Sequence, residues 1–382
     1  MFDFPFTEAS IGTSVYCLVF YLLLVLLNYR DCLYEPFEYE VSLKKEKLTL
    51  FLIGVFFITH CYKGDFFHMM QCVHEYISIP GYYNYGEDIY HKITLLVNKN
   101  YFLFRTIVWG GAFCLFCLTA KRMNVSVYCA AVLLIATHAI TFGYARATAA
   151  MAVYFWGFSF ICSPFKNKWI SYIIGILIIC LSLKFHNSAI IMLIMSVMIF
   201  LPINKWSIIF IVILFFVLST VFKDLLMYTA MSDNFDTTIA NKIDFYSNRV
   251  VFYGPSGIIN KTLEYSSFYI PFIVVTLNIF NDGKIEIIPD CIYRMYKVAC
   301  GFVLASLLFY FLGPSYITFV YRVLFMSMIP LTIVVVYLYQ ENLMSYSHYK
   351  WCVFPGVMYS IVLYLYTIYL TFLTSPYNYN YV

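Results

Sequence analysis

Long apolar runs separated by short polar breaks recur along the whole chain. An α-helix needs roughly 20 mostly apolar residues to cross a bilayer core about 30 Å thick, and the runs are close to that length. The pattern predicts an all-α, polytopic integral membrane protein: a single membrane domain of residues 1–382 with about 12 transmembrane helices. The predicted spans are 11–27, 48–62, 101–119, 125–143, 146–163, 169–184, 188–202, 206–222, 266–280, 297–312, 318–339 and 353–373.

The basic residues fall mainly on one side of these spans. Lys and Arg concentrate in short loops on the cytoplasmic side of membrane proteins, so we expect that side to be the cytoplasm and both termini to lie outside, in the periplasm. Two long outer loops, about 63–100 and 223–265, are exempt because long loops cross the membrane regardless of charge. The basic side holds Arg30, Lys44, Lys45, Lys47, Lys121, Arg122, Lys166, Lys168, Lys205, Lys284, Arg294, Lys297 and Lys350.

Composition supports the membrane prediction and argues against metal, cofactor and nucleic-acid binding. Hydrophobic residues make up 62% of the chain and charged residues 12%, against about 25% charged residues in an ordinary soluble domain. Most of the 12 cysteines lie in apolar runs, and the pair Cys114 and Cys117 has no second pair and no His at ligand spacing. We therefore expect packing cysteines, no metal and no cofactor, and membrane lipids rather than nucleic acid as partners.

Cations are rare in the short turns on the predicted outer side, and that makes their positions informative. The short outer turns hold Arg146 in "GYARATAA", Lys184 beside His186 in "LSLKFHNSAII", and Arg322 in "SYITFVYRVLF", while Arg249 lies in the second long loop. A charge in the membrane costs from about 2.5 kcal/mol upward, so it usually has a partner. Guanidinium groups bind phosphate oxygens in bidentate fashion, and the cluster predicts a pyrophosphate site. Snorkelling to anionic headgroups is the alternative, and it accounts best for Lys184 and Arg249.

Acidic residues lie on the same predicted face. Asp65 follows the second span directly, and Glu87 and Asp88 come further along the first outer loop. A carboxylate or histidine there could act as general base towards a hydroxyl, whereas the alternative for the loop acids is a solvated surface charge. A metal bridged by Asp65 is a further alternative. The chain has no HExxH, P-loop, GxGxxG helix start or nucleophile elbow, and so it shows none of these signatures of soluble enzymes.

Several short elements recur in an order that matches a known family. They are Lys63-Gly64-Asp65, Glu87-Asp88-Ile89-Tyr90, Arg146-Ala147-Thr148-Ala149, His186-Asn187-Ser188-Ala189, the late Arg322 and the terminal Pro376-Tyr377. In these elements the chain resembles the Wzy-type polysaccharide polymerases, and more closely their EpsG-like branch. It departs from the family where Ala147 replaces the usual Gln after the arginine, and where His60 stands at a position that is often arginine.

The resemblance implies a membrane-embedded glycosyltransferase with a GT-C-like architecture in the bacterial inner membrane. Such an enzyme transfers a growing glycan from undecaprenyl pyrophosphate onto a new lipid-linked repeat unit at the periplasmic face, in the synthesis of O-antigen lipopolysaccharide, capsule or exopolysaccharide. Its partners would include a chain-length regulator and a flippase. The roles that we expect are pyrophosphate binding by Arg146, Arg322, Arg249 and Lys184, proton acceptance by His186 or Asp65, and substrate contact by Glu87, Asp88 and Tyr90.

Three rival functions remain open from sequence. A lipid-linked oligosaccharide flippase binds the same pyrophosphate, but two similar halves around a central cationic cavity would be expected of it. A multispan acyltransferase would need access for its acyl donor from the cytoplasm, whereas the candidate residues here are predicted to face outward. A purely structural or assembly role gives no reason for arginines near the membrane on one face.

Overall fold

The protein is all-helical throughout the part of the chain that its computed structural model describes, and that part contains no strand. The structure describes residues 11–34, 41–60, 89, 92–93, 96–97, 100–139, 145–186, 189–230, 255–281, 284–312 and 317–373. The helices are α1 Ile11–Leu27, α2 Leu43–Thr59, α3 Tyr101–Arg105, α4 Gly111–Arg122, α5 Val127–His138, α6 Ala145–Cys162, α7 Lys168–Ser182, α8 Ala189–Met195, α9 Lys205–Ala230, α10 Pro255–Phe280, α11 Asp290–Leu312, α12 Ile317–Phe325, α13 Met328–Gln340 and α14 Tyr346–Leu373.

Short turns of tighter or wider helix complete these elements. A π-helical turn, Tyr29–Tyr34, follows α1, and a second, Thr106–Gly110, joins α3 to α4. The 3-10 turn Ser196–Phe200 extends α8, and Lys284–Glu286 precedes α11. Polar side chains begin several helices, because Ser or Asn there accepts a backbone N–H that has no partner within the helix. These N-caps are Ser42, Asn100, Ser126 and Asn167.

The helices confirm the all-α prediction. Each predicted span coincides with one described helix or with two consecutive ones. Within the part of the chain that the structure describes, four segments are long and apolar enough to cross a membrane by themselves, and the other apolar stretches counted there have 10–17 residues. Twelve crossings, a single domain and a GT-C-like architecture stay predictions. The four long segments are Phe102–Arg122, Lys261–Phe280, Asp290–Leu312 and Tyr346–Tyr369.

Two helices extend beyond their apolar runs into the predicted loop 223–265. α9 continues to Ala230, and α10 already begins at Pro255. Polar residues end a hydropathy run without ending a helix, because a helix is defined by its backbone hydrogen bonds and not by apolar side chains. The hydrophobic pattern therefore gives the apolar part of each helix rather than its full length.

The predicted span 318–339 is divided into two helices. α12 ends at Phe325 and α13 begins at Met328, with Met326 and Ser327 in the turn between them. The Ser327 hydroxyl donates to the carbonyl oxygen of Leu324 at 2.6 Å. Pro330 has no N–H for the carbonyl of residue 326, and a proline ring clashes with the carbonyl four residues earlier. This break places Arg322 on a short helix of its own.

The loops predicted to be cytoplasmic lie together at one end of the bundle, which we call the basic end. Arg122 donates to the carbonyl oxygen of Ser163 at 2.6 Å, and Arg294 donates to that of Ile161 at 3.4 Å. The other end of the bundle, which we call the opposite end, is the one predicted to face outward. Further contacts at the basic end join Lys45 to Asp31, Ser126 to Gln340, Tyr293 to Ile203 and Lys284 to Leu343.

Close helix contacts at glycine fix the positions of α14 and α7. α14 packs on α1, α5 and α10. A Cβ added at Gly356 would lie 2.5 Å from the Cβ of Thr137 on α5. Similarly, a Cβ added at Gly157 of α6 would lie 2.9 Å from the carbonyl oxygen of Gly175 on α7. Small residues let membrane helices approach this closely, and any larger side chain would separate them.

Candidate functional site

The turn between α7 and α8 lies at the opposite end and carries two of the predicted site residues. Ser182 closes α7, and the backbone N–H groups of Phe185 and His186 donate to its carbonyl oxygen at 3.1 and 3.4 Å. Lys184 is exposed in this turn, whereas His186 is half-buried. The His186 carbonyl in turn accepts the N–H of Ala189, the first residue of α8, at 3.0 Å. The backbone thus holds a lysine and a histidine side by side.

The first outer loop returns to this turn. The N–H of Ile89 donates to the carbonyl oxygen of Lys184 at 3.3 Å. Ile89 belongs to the element Glu87-Asp88-Ile89-Tyr90, so this hydrogen bond joins two stretches that the sequence analysis placed in one site. Their sequence separation is about a hundred residues, and only folding brings them together. The side chains of Glu87, Asp88 and Tyr90 lie outside the described residues, as do Asp65 and Arg249.

The two other predicted arginines lie at helix ends. Arg146 is the second residue of α6, in its first turn, and its side chain lies outside what the structure describes. Arg322 lies in the last turn of α12 and is exposed. The pyrophosphate-binding and proton-accepting roles assigned to these residues, and to Lys184 and His186, stay predictions.

A buried carboxylate at the opposite end was missed from sequence. Glu264 on α10 is only 4% exposed. Its Oε2 accepts from Lys261 Nζ at 2.5 Å, and its Oε1 accepts from the Tyr359 hydroxyl of α14 at 3.1 Å. The Lys261 ammonium also lies 5.0 Å from the ring centroid of Tyr321, the residue before Arg322 on α12. We call Lys261, Glu264, Tyr359, Tyr321 and Arg322 the α10 cluster.

The sequence did contain a signal for Glu264. It stands in "NKTLEYSSFYIPF", four residues into a stretch that is long and apolar enough to cross a membrane. An ionisable residue inside such a stretch is expensive and usually has a function or a partner. The partner Lys261 lies at i,i+3 and was visible, but Tyr359 lies 95 residues away and was not.

A second buried polar group surrounds His60 at the end of α2. His60 is 3% exposed, and its Nε2 lies 2.7 Å from the hydroxyl of Tyr364 on α14, at hydrogen-bond distance. Arg105 of α3 is equally buried and donates to the carbonyl oxygen of Phe57 at 3.3 Å, three residues before His60. Its guanidinium carbon lies 4.8 Å from the ring centroid of Trp109. The guanidinium group of Arg105 is therefore close to His60. His60 itself stands at the position where the family often has arginine.

The chemistry available at this end is anion binding and proton transfer. Exposed Lys184 and Arg322 and the partly exposed Lys261 supply positive charge, while His186 is a group that can exchange a proton. Among the described residues, no three His, Cys, Asp or Glu side chains gather in an arrangement that could hold a metal ion. Lipid headgroups compete as partners for the cations.

Together these features define a helical membrane protein with cation-bearing polar sites at the end opposite its basic loops. The chain belongs to the EpsG family, whose model matches residues 48–381. This is a family of Wzy-like polysaccharide polymerases, and the match confirms the resemblance seen in the short elements. Membership implies a glycosyltransferase-like role in polysaccharide biosynthesis. No curated protein and no solved structure matches the chain significantly.

Proposed function

We propose that this protein polymerises lipid-linked oligosaccharide repeat units at the periplasmic face of the bacterial inner membrane. The observation that carries the proposal is the family match over residues 48–381. The distribution of charge supports it, because the basic loops share one end of the bundle while Lys184, His186 and Arg322 lie at the other. The substrate is then a glycan on undecaprenyl pyrophosphate, whose phosphates those cations could bind.

The proposed reaction exchanges one C–O bond for another. A hydroxyl oxygen of the incoming lipid-linked repeat attacks the anomeric carbon of the growing glycan. The bond from that carbon to undecaprenyl pyrophosphate breaks, and its electron pair leaves with the pyrophosphate oxygen. The hydroxyl proton passes to a base on the protein. The products are undecaprenyl pyrophosphate and a lipid-linked glycan. This glycan consists of the incoming repeat unit with the whole donor glycan attached to it.

The roles of the residues follow from this charge flow. Arg146 and Arg322, with Arg249 and Lys184, stabilise the negative charge that develops on the leaving pyrophosphate. His186 or Asp65 accepts the hydroxyl proton. Glu87, Asp88 and Tyr90 contact the sugars. The leaving group is already activated, so the reaction needs no nucleotide sugar and no cofactor, and cationic side chains can replace a divalent ion.

The remaining features follow from the same proposal. Both termini lie in the periplasm, and grooves between helices hold the two polyprenyl tails. A flippase of the same pathway supplies the lipid-linked repeats, and a chain-length regulator sets the size of the product. The product is a surface polysaccharide: O-antigen, capsule or exopolysaccharide.

The test is a gel of surface polysaccharide from a strain that lacks the gene. We expect the ladder to collapse to a single repeat unit on its acceptor, and the intact gene to restore it. The variants Arg322→Ala, Arg146→Ala and His186→Ala should restore short ladders or none, while Lys121→Ala at the basic end should restore the full ladder.

Two results would argue against the proposal. An unchanged ladder in the deletion strain would exclude polymerisation. Accumulation of lipid-linked repeats on the cytoplasmic leaflet would indicate a flippase instead, because a polymerase acts on repeats that have already crossed. Full ladders from well-expressed Arg322→Ala or His186→Ala would remove those residues from the site.

A further inference from the structure

The α10 cluster holds a lysine that the proposed mechanism does not yet use. Lys261 Nζ lies between the Glu264 carboxylate, 2.5 Å away, and the ring of Tyr321, whose centroid is 5.0 Å away. The Lys261 side chain is 28% exposed, whereas that of Glu264 is 6% exposed. Arg322, the next residue after Tyr321, is exposed. Two cations on neighbouring helices are therefore accessible at the opposite end, and the carboxylate lies behind one of them.

The ion pair of Lys261 and Glu264 is by itself weak evidence for stability. Removing charges from water is costly, and well-packed apolar residues often replace a buried ion pair without loss. Both Glu264 oxygens are engaged, one by Lys261 and the other by Tyr359. The carboxylate acts on its neighbour: it holds the ammonium of Lys261 near the ring of Tyr321, on the helix that also carries Arg322.

We propose that Lys261 and Arg322 form one anion-binding site for the phosphoryl groups of a polyprenyl pyrophosphate lipid, and that Glu264 is the positioning residue of this site. An ammonium group binds phosphate as a point charge, and a guanidinium group adds bidentate hydrogen bonds. The choice of a pyrophosphate lipid rests on the proposed function, whereas the site itself rests on the geometry of the α10 cluster.

The basic end offers a matched control. Lys45 pairs there with Asp31, and Asp31 also accepts from the hydroxyl of Tyr128 at 3.3 Å. This group repeats the lysine, carboxylate and tyrosine of the α10 cluster at the other end of the bundle. Its side-chain exposures of 42% and 12% are also comparable. The same substitutions at Lys45 and Asp31 should leave the binding of a pyrophosphate lipid unchanged.

The experiment measures binding of farnesyl pyrophosphate to the full chain in phosphatidylcholine nanodiscs, by calorimetry. The key variant is Lys261→Met/Glu264→Gln, which keeps the net charge and leaves a Gln oxygen for Tyr359. We expect binding about 10- to 100-fold weaker, the loss expected for a hydrogen bond to a charged group. Lys261→Arg should bind within a few-fold of wild type, and Lys45→Met/Asp31→Asn should match it.

Three outcomes would overturn the inference. The first is unchanged farnesyl pyrophosphate binding in a Lys261→Met/Glu264→Gln variant that keeps its unfolding temperature. The second is a fall in affinity of the same size in the Lys45→Met/Asp31→Asn control. The third is seen when phosphatidylglycerol is added to the nanodiscs. If the Lys261 variant binds phosphatidylglycerol more weakly but farnesyl pyrophosphate as well as wild type, the ligand is a phospholipid headgroup. If the double variant itself unfolds, Lys261→Gln alone provides the same test, because its amide can still donate to Glu264.

Failure of this inference is distinguishable from failure of the proposed function. A ladder that depends on the gene, together with pyrophosphate binding that does not depend on Lys261, would leave the polymerase intact and remove the site. Lost binding in the Lys261 variant, together with an unchanged ladder in the deletion strain, would leave the site intact and remove the polymerase.

Discussion

Polar side chains buried at the opposite end are the most informative single residues of this protein. His60, Arg105 and Glu264 are each at most 5% exposed, although each has an ionisable side chain. Burying a polar group costs free energy unless it is hydrogen-bonded, and His60 and Glu264 are both joined to tyrosines of α14. α14 therefore connects the second helix and the α10 cluster through two hydroxyl groups.

The first prediction concerns Tyr364. Replacing it with Phe removes the hydroxyl 2.7 Å from His60 Nε2 and leaves a buried ring nitrogen without that partner. We expect the free energy of unfolding to fall by about 1–3 kcal/mol, the cost of an unsatisfied buried polar group. The measurement is the apparent unfolding temperature in detergent micelles.

Tyr366 provides the control for this prediction. It lies on the same helix, is half-buried and makes no hydrogen bond within the part of the chain that the structure describes. Tyr366→Phe should change stability by less than about 0.5 kcal/mol. Equal losses in the two variants would mean that the Tyr364 hydroxyl contributes nothing through His60.

An unusual charge could be recognised from the sequence where the signal was local. A contact with a residue far away in the sequence could not. Lys184, His186 and Arg322 stood out because a charge within an apolar run is visible in the sequence itself. Arg105 and Glu264 have equally unusual environments, but their contacts lie 48 and 95 residues away. Arg105 stands near the start of an apolar stretch. At such a position, the sequence does not distinguish a buried arginine from one whose charge remains in water.

At the scale of elements, the contact between α6 and α7 connects packing to the candidate site. Arg146 lies in the first turn of α6, and Lys184 and His186 follow the end of α7. Gly157 and Gly175 hold the two helices close together. Any substitution that separates the helices therefore shifts the two groups of candidate residues relative to each other.

The second prediction, at the scale of elements, tests this contact with Gly157→Ala. The added Cβ would lie 2.9 Å from the Gly175 carbonyl oxygen and 3.0 Å from the Cβ of Ile178, so the helices must separate. We expect a loss of about 1–3 kcal/mol, typical of overpacking, and a shortened ladder. The readouts are the unfolding temperature and the polysaccharide gel.

Gly111→Ala is the matched control, because an added Cβ there meets nothing within 4 Å. Alanine favours helix over glycine by up to about 1 kcal/mol, so this variant should be as stable as wild type or more so. A Gly157→Ala protein with an unchanged ladder would show that close packing of α6 on α7 is not needed for function.

The helix ends show what hydropathy can and cannot predict. The apolar run 318–339 predicted one span, and the structure has α12 and α13, because Ser327 and Pro330 interrupt the backbone hydrogen bonds of a segment that stays apolar. Residues 255–265 read as loop, yet they belong to α10. Composition reports burial in the membrane, whereas backbone hydrogen bonding decides where a helix begins and ends.

At the scale of the whole molecule, the two ends of the bundle differ in their charge and in the contacts that their charged side chains make. At the basic end, cations bind backbone carbonyls that helix ends leave unpaired: Lys297 donates to Ile199 and Leu201, and Arg122 to Ser163. At the opposite end, Lys184 and Arg322 are exposed. Part of the charge at the basic end thus stabilises the fold itself, because these cations are bonded to backbone carbonyls.

The last prediction tests which end faces the cytoplasm. All 12 native cysteines would be replaced by Ser or Ala before single cysteines are introduced at Lys184 or at Lys121. Because basic loops stay inside, a membrane-impermeant maleimide should label Lys184→Cys in cells whose outer membrane alone is permeabilised. It should label Lys121→Cys only after the inner membrane is opened. The reverse pattern would place Arg322 and the α10 cluster in the cytoplasm, where no periplasmic polymerisation could use them. Labelling of both cysteines in intact inner membranes would mean that the two ends do not lie on opposite sides of the bilayer.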